Sequence, residues 1–303
     1  MIRWLMLLAV LLTCQNAHAS DAHASEPAFF IILADPQMGM FSGNRDTVQE
    51  QANLAFVVSS INRLKPAFVV VCGDLVNRGG DREQTDQYKR IMRQIDPGIP
   101  AYNVAGNHDV GNQPTAITLA QYRKGFGPDY YSFDSGDIRG IVLDSNLIAS
   151  PQGVPEESEA QERWLVKELQ RARKDGVKHV FVFQHIPYFL ERPDEPDQYF
   201  NIPKAVRRHY LDLFQEYGVS YVFAGHYHRN ASGHDGDLQM VTTGAVGVPM
   251  GGSQSGFRIV RLAPGVVQSE YYDLGSLPRV IDPAKDLPSS PASAGTRSMD
   301  SPR

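Results

Sequence analysis

The chain has 303 residues, 42% hydrophobic and 21% charged, a globular composition that excludes a disordered or collagen-like chain. Its formal net charge is -5. No long basic block is present, which argues against a nucleic-acid-binding patch but leaves room for a phosphorylated ligand held through metal ions.

Residues 1–19 read as an export signal. Arg3 gives a positive start, and the apolar run 4–13 is too short to cross a bilayer as a helix. Ala17 and Ala19 put small residues where a signal peptidase reads, and Ala22 and Ala24 repeat the pattern, so cleavage is expected after Ala19 or Ala24. The mature protein is then expected in the periplasm or secreted, without a transmembrane segment. Lipid attachment at Cys14, after Leu11-Leu12-Thr13, is the alternative. Cys72 is the cysteine that remains, so no internal disulfide is expected; its apolar surroundings read as a small buried hydrophobe.

Residues 29–34 read as a buried strand that closes at Asp35-Pro36. Residues 46–64 carry helical spacing, 68–72 form a second buried strand, 81–95 a helix stopped before Pro97-Gly98, and 101–105 a third strand. A hairpin is expected from 130–133 and 138–143 around Ser135-Gly136. Residues 156–174 read as a charged helix turning Trp164, Leu165 and Leu169 inward. A strand at 179–183, a proline-opened helix at 203–217 and a strand at 220–224 follow. Residues 238–243, 256–262 and 266–272 read as later strands of an antiparallel kind. Strand–helix alternation followed by strand runs predicts an α/β sandwich with mixed sheets in one domain, 27–275. From Ser276 onward Pro and Ser dominate, and 276–303 is expected to be a disordered tail.

The chemistry lies after the strands. The first is followed by Asp35-Pro36-Gln37, the second by Gly73-Asp74, and the third by Gly106-Asn107-His108-Asp109. The strand at 179–183 is followed by Gln184-His185, and that at 220–224 by Gly225-His226-Tyr227-His228. In open α/β sheets ligands gather outside the carboxyl ends of strands, so these residues can converge. The preceding glycines are expected to permit tight turns that aim Asp74, Asn107 and His226 at a common point. Carboxylate, amide and imidazole donors suit Mn, Fe or Zn, and this set suffices for two ions, with Asp74 able to bridge them.

The series Asp-x-x, Gly-Asp, Gly-Asn-His-Asp, His, Gly-His-x-His from Asp35 to His228 resembles the signature of the calcineurin-like metallophosphoesterases. Residues 34–37, 183–187 and 225–230 are also similar to one subgroup, the calcineurin-like phosphoesterase domain-containing serine/threonine phosphatases. The resemblance implies a four-layer α/β/β/α sandwich of two mixed β-sheets flanked by helices. It implies two divalent ions (Mn2+, Fe2+/Fe3+, Zn2+ or Mg2+) and hydrolysis of a phosphorylated small molecule or other phosphoester by a metal-bridging hydroxide. By the same carry-over Asp35, Gln37, Asp74 and His228 would hold the first metal, and Asp74, Asn107, His185 and His226 the second. His108 would stand beside the phosphate, with Asp109 orienting its ring.

Most members of the family begin with Asp-x-His, so Gln37 is a departure; it implies a weaker first site that tolerates Mn2+ or Mg2+, or a residue that does not ligate. Purple acid phosphatases place a tyrosine three residues after the Gly-Asp aspartate. Here that residue is Asn77, so no iron–tyrosinate chromophore is expected. Arg229, Asn230 and Asn146 are candidate substrate contacts. Arg45, Arg78 and Tyr188 are candidates for the rim, His234 is expected in a polar loop, and the glycine-rich stretch 244–256 is expected as a mobile loop at the cleft edge. The expected reaction is phosphomonoester hydrolysis; a phosphodiesterase with nearly the same ligands and a non-catalytic scaffold of the same fold are the alternatives.

Overall fold

The computed structural model describes residues 28–283 and Lys285. The expected leader with Cys14, and most of the expected tail, lie outside the described residues. Among the described residues, no helix is long and apolar enough to cross a membrane.

β1 (Ala28–Leu33) is continuously apolar because both of its faces are covered. Phe29, Ile31 and Leu33 face a core shared with α1 (Val48–Leu64) and α2 (Arg82–Met92), while Phe30 and Ile32 face a second sheet. β1 pairs in parallel with β2 (Val69–Val71), which pairs in parallel with β3 (Ala101–Asn103). The Asn-His-Asp motif opens a short helix, α3 (Asn107–Val110), and α4 (Ala116–Phe126) follows.

The second sheet begins with the expected hairpin, β4 (Tyr131–Ser135) and β5 (Ile138–Val142), turning at Gly136 with φ 56°. Next come α5 (Ser145–Ala149), α6 (Pro155–Lys174), β6 (His179–Phe183), α7 (Lys204–Tyr217) and β7 (Val219–Ala224). The chain then forms β8 (Ala231–Asp235) and β9 (Leu238–Thr242), and returns to the first sheet as β10 (Gly256–Ala263) and β11 (Val266–Asp273). The strand orders are β11-β10-β1-β2-β3 and β4-β5-β6-β7-β9-β8.

Both sheets are mixed, and helices cover their outer faces: the fold is a four-layer α/β/β/α sandwich. The layer between the sheets is rich in phenylalanine, with Phe30 stacked on Phe68 at 4.6 Å and Phe183 on Phe223 at 5.5 Å between ring centroids.

Three expectations change. β9 lies parallel to β7, not antiparallel to its neighbours throughout, because the edge strand β8 carries the chain back before β9 inserts beside β7. His234 is in β8, an exposed residue of a strand whose Ala-Ser-Gly-His-Asp sequence has little strand propensity. The chain does not detach at Ser276: Leu277 and Ile281 pack on the first core, and Arg63 Nη1 donates to the Pro278 carbonyl at 2.8 Å.

Candidate metal centre

The segments that follow β1, β2, β3, β6 and β7 meet where the two sheets come together. Asp74, His185 and His226 form one group of potential ligand atoms within 4.8 Å of one another, and Asp35, Asp74 and His228 form a second; all five are buried. Asp74 belongs to both groups. Asn107 joins the first through Oδ1, 2.9 Å from His185 Nε2. Gln37 lies beside the second, its backbone N–H bonded to the Asp74 carbonyl at 2.8 Å.

This convergence uses unusual backbone. Asp35, Gln37, Asp74, His226 and His228 all have positive φ, between 39° and 69°. Side chains with a Cβ avoid that region at a cost of roughly 1 kcal/mol or more each, and such strain collects at functional sites. The preceding glycines do something other than expected. Only Gly73 has positive φ; Gly106 sits at φ -106°. A Cβ on Gly106 would overlap the Asp74 backbone and carboxylate, and one on Gly225 would stand 2.7 Å from Asp35 Oδ2. Glycine is needed there for close approach, while the ligand residues themselves make the turns.

Each imidazole is oriented by a backbone carbonyl. His185 Nδ1 meets the Cys72 carbonyl at 2.8 Å, His228 Nδ1 the Val248 carbonyl at 2.6 Å, and His226 Nε2 the Tyr199 carbonyl at 3.0 Å. A carbonyl only accepts, so these nitrogens carry the protons. The other nitrogen of each ring is left as a lone-pair donor, the usual arrangement for a metal-ligating histidine.

His185 Nε2 faces Asp74 Oδ2 at 3.3 Å, and His228 Nε2 faces Asp35 Oδ1 at 3.3 Å. Lone pairs crowded against carboxylate oxygens call for a cation or a proton between them. Burial alone would push His185 down, but Asp74 and Asp35 outweigh it and lift it to about 10, so without metal a proton fills that place. Burial, then the charge of His185, press His226 down to about 4 and keep it neutral. Burial works upward on Asp74 as well, yet His185, His108 and His226 hold it well below the usual carboxylate range.

Gln37 supplies a further sign. It is fully buried; its Nε2 donates to Asn77 Oδ1 at 3.1 Å, while its Oε1 has no hydrogen-bond partner. A buried amide oxygen without a donor costs free energy unless a ligand satisfies it. The donor set therefore fits a pair of divalent cations: Asp35, Gln37, Asp74 and His228 would hold one, and Asp74, Asn107, His185 and His226 the other.

Asp109 is placed differently from expectation. The Asp109 carboxylate does not touch the His108 ring. It accepts the backbone N–H groups of Leu75 (3.0 Å), Val76 (3.1 Å) and Gly106 (2.8 Å), locking the β2 loop to α3. Burial, then the nearby Asp74, push it up to about 8. The His108 ring is instead held by Asn77, whose carbonyl takes the Nδ1 proton at 3.0 Å, while the His108 backbone N–H donates to Asp74 Oδ1 at 2.8 Å.

Of the other candidates, Arg229 lines a polar cleft of about 740 Å³ with Glu191, Glu195, Gln198 and Tyr227. Its guanidinium lies 4.7 Å from the Tyr227 ring centroid, and its Nε is buried without a partner. Asn230 Oδ1 is already engaged, accepting from Arg258 Nη2 at 2.8 Å and Gly244 N–H at 3.2 Å. Asn146 is buried; its Nδ2 donates to Asp144 Oδ1 at 2.8 Å, and its Oδ1 has no hydrogen-bond partner. Tyr188 is fully buried in the second core, not at a rim; Arg45 and Arg78 are exposed. The glycine-rich stretch 244–256 is pinned at its start, where Asn53 Nδ2 donates to Val246 O at 2.9 Å, and Val248 orients His228.

Sequence reasoning missed Asn77 as a holder of His108, and missed Tyr199. Tyr199 sits in the long connection between β6 and α7, which is built around two buried groups. The Glu195 carboxylate accepts from Leu190 N (2.8 Å), Glu191 N (3.0 Å) and Asn201 Nδ2 (2.8 Å). Arg207 donates to the carbonyls of Ile202 (2.9 Å), Pro193 (3.0 Å) and Glu195 (2.8 Å). So held, the loop brings the Tyr199 carbonyl to His226 and its hydroxyl to Asn107 Nδ2 at 3.3 Å. The unusual length of this connection, with an adjacent Tyr199-Phe200 pair, is the signal that could have flagged it.

The family model for the calcineurin-like phosphoesterases matches residues 17–230. A serine/threonine-protein phosphatase of Danio rerio, CPPED1, is 42% identical over 269 residues, covering 84% of this chain and 87% of that protein. Its Homo sapiens counterpart is 40% identical over 267 residues, 83% of this chain and 85% of that protein. Among solved structures, a dimetal phosphatase from Danio rerio superposes with a TM-score of 0.60 at 17% identity, covering 82% of this chain and 97% of that one. A purple acid phosphatase from yellow lupin seeds superposes at 0.62 and 15% identity, covering 83% of this chain and 52% of that one. At these identities the two structures speak for the fold alone.

Proposed function

The chain belongs to the calcineurin-like phosphoesterase family and is a phosphoester hydrolase, and we propose that it acts on phosphomonoesters, with His108 as proton donor to the leaving oxygen. The observation that carries this reading is the pair of buried donor groups that share Asp74, with His108 tied to Asp74 through its own backbone.

Asp35, Gln37, Asp74, Asn107, His185, His226 and His228 would hold two divalent ions, which would supply positive charge for the phosphoryl oxygens and make water a stronger acid, with a pKa of about 7 in place of about 15.7. The chain's own residues do the rest. Asp35 and Asp74 provide the buried negative charge that selects cations. The Cys72, Val248 and Tyr199 carbonyls fix which nitrogen of each ligand histidine is free. With His108 Nδ1–H held by Asn77, Nε2 is the nitrogen able to carry a proton to a departing alkoxide, a contribution of roughly 10²–10⁴-fold for a positioned general acid.

The relatives named serine/threonine-protein phosphatase support monoester chemistry and make phosphoserine or phosphothreonine side chains one candidate substrate class. The leader-like residues 1–19 support the other, small exported phosphate esters such as nucleotides or envelope phosphates. The amide oxygen of Gln37, a harder donor than imidazole, supports Mn2+ or Mg2+ over Zn2+ at the first site.

The test is hydrolysis of nitrophenyl phosphate, bis-nitrophenyl phosphate and a phosphoserine peptide by metal-stripped protein, with Mn2+, Mg2+, Zn2+ or Fe2+ restored and Asp74→Asn as control. Metal-dependent turnover of the monoester, lost in the control, supports the proposal. Preference for the bis-ester overturns the monoester reading, and no turnover of any ester overturns the substrate assignment. Export is tested separately by sequencing the amino terminus of protein made in cells. A start at Ser20 or Ser25 supports it, and an intact Met1 argues against it.

A further inference from the structure

We propose that the Tyr199 hydroxyl donates a hydrogen bond to a phosphoryl oxygen at the metal centre, making Tyr199 a substrate contact that lies outside every metal-ligand motif. This rests on the phosphoesterase reading and adds a residue to it.

The geometry comes from Asn107. Its Oδ1 lies 2.9 Å from His185 Nε2, on the ligand side, and its Nδ2 lies 3.3 Å from the Tyr199 oxygen. An amide nitrogen can only donate, so the phenol oxygen accepts there and keeps its own proton for another acceptor. An ionised phosphoryl oxygen is a strong acceptor for that proton, since charge-assisted bonds are roughly twice as strong as neutral ones.

Tyr199 remains 60% exposed although its hydroxyl borders a buried site, so it stands at the mouth, where substrate must pass. The ring is held in place before substrate arrives. Its centroid is 4.9 Å from His226 and 5.2 Å from Phe200, and the loop beneath is fixed by Glu195 and Arg207. A donor fixed in advance needs no reorganisation when charge builds on the phosphoryl group. Tyr199 therefore serves the side of the site formed by Asn107 and His226, and the Phe200 and Tyr227 rings, 5.1 Å apart, continue the wall beyond it.

The experiment is Tyr199→Phe in the full chain loaded with Mn2+, assayed on nitrophenyl phosphate for kcat and KM, with orthophosphate as competitive inhibitor and metal content by mass spectrometry. Loss of a hydrogen bond to a charged oxygen is expected to lower kcat/KM roughly ten- to a hundredfold and weaken phosphate inhibition by a similar factor, with two ions still bound. Parameters within twofold of the parent overturn the proposal. Metal affinity falling in step with activity also overturns it, because Tyr199 would then act only by positioning Asn107. Should the parent turn over no ester, the phosphoesterase reading fails by itself. Calorimetric titration of phosphate into the Mn2+-loaded parent and Tyr199→Phe then still decides: weaker binding in the variant supports the contact, and equal binding refutes it.

Discussion

Replacing Gln37 by leucine separates a metal ligand from a buried structural amide. In the metal-free protein Gln37 Oε1 is an unpartnered buried acceptor, so its removal relieves a penalty of about 1–3 kcal/mol. The variant also loses the Nε2 bond to Asn77, worth about 1 kcal/mol. Because that bond does not involve the ion, its loss falls on the metal-free and metal-loaded states alike. What changes is the gain on adding metal. At a hundredfold excess over Kd, one bound ion stabilises the fold by about 2.7 kcal/mol. A hundredfold loss of affinity at the first site would cut that to about 0.4 kcal/mol, removing roughly 2.3 kcal/mol. For a domain of this size each kcal/mol moves Tm by about 2–4 °C, so the metal-induced rise should shrink by about 5–9 °C. The assay is thermal unfolding of stripped parent and Gln37→Leu against titrated Mn2+, with metal content measured in parallel. The metal-free Leu variant should melt no lower than the metal-free parent. An unchanged metal-induced shift would refute Gln37 as a ligand and leave its orphaned oxygen unexplained.

Three further outcomes follow from particular contacts. His108→Ala should lower kcat by roughly 10²–10⁴-fold while both ions stay bound, since the bond to Asp74 comes from the His108 backbone and survives the substitution; metal loss would show a ligand role instead. Asp74→Asn touches both donor groups, so bound metal should fall at both sites and turnover by roughly 10²–10⁴-fold, in keeping with the several kcal/mol a metal clamp supplies; loss of a single ion would contradict the shared role. Asp144 tests the packing beneath the site. It is fully buried, its Oδ2 has no partner, and burial, then Asp129, raise it to about 7 from 3.8. The unfolded chain releases this proton near pH 4 and the folded protein only near 7. Stability from this group is therefore lost as pH rises across that window, at about 1.4 kcal/mol per pH unit. Asp144→Asn, a neutral isostere, should flatten the stability profile between pH 4 and 7 in urea titrations; an unchanged slope would exclude Asp144 as its source.

What the sequence by itself determined is the set of groups the fold brings together. Asp35, Asp74, Asn107, His185, His226 and His228 each follow an apolar strand, and strand ends in such sheets share an edge, so chemical type and position were both readable in one dimension. The strands carrying them were equally plain, since β1, β2 and residues Val180–Phe183 of β6 are apolar throughout, as strands lying between two layers must be. Only the tertiary structure decided how the groups are held. The carbonyls of Cys72, Val248, Tyr199 and Asn77 orient the four histidine rings, and a backbone carbonyl leaves no mark on residue type. The positive φ of the ligands and the close-approach role of Gly106 and Gly225 arise from neighbours distant in sequence. β8 was hidden because an exposed edge strand needs no apolar pattern, and β9 runs parallel to β7 only because β8 first turns the chain around. Tyr199 reaches Asn107 through a loop fixed by Glu195 and Arg207, contacts that exist only once the chain has closed on itself.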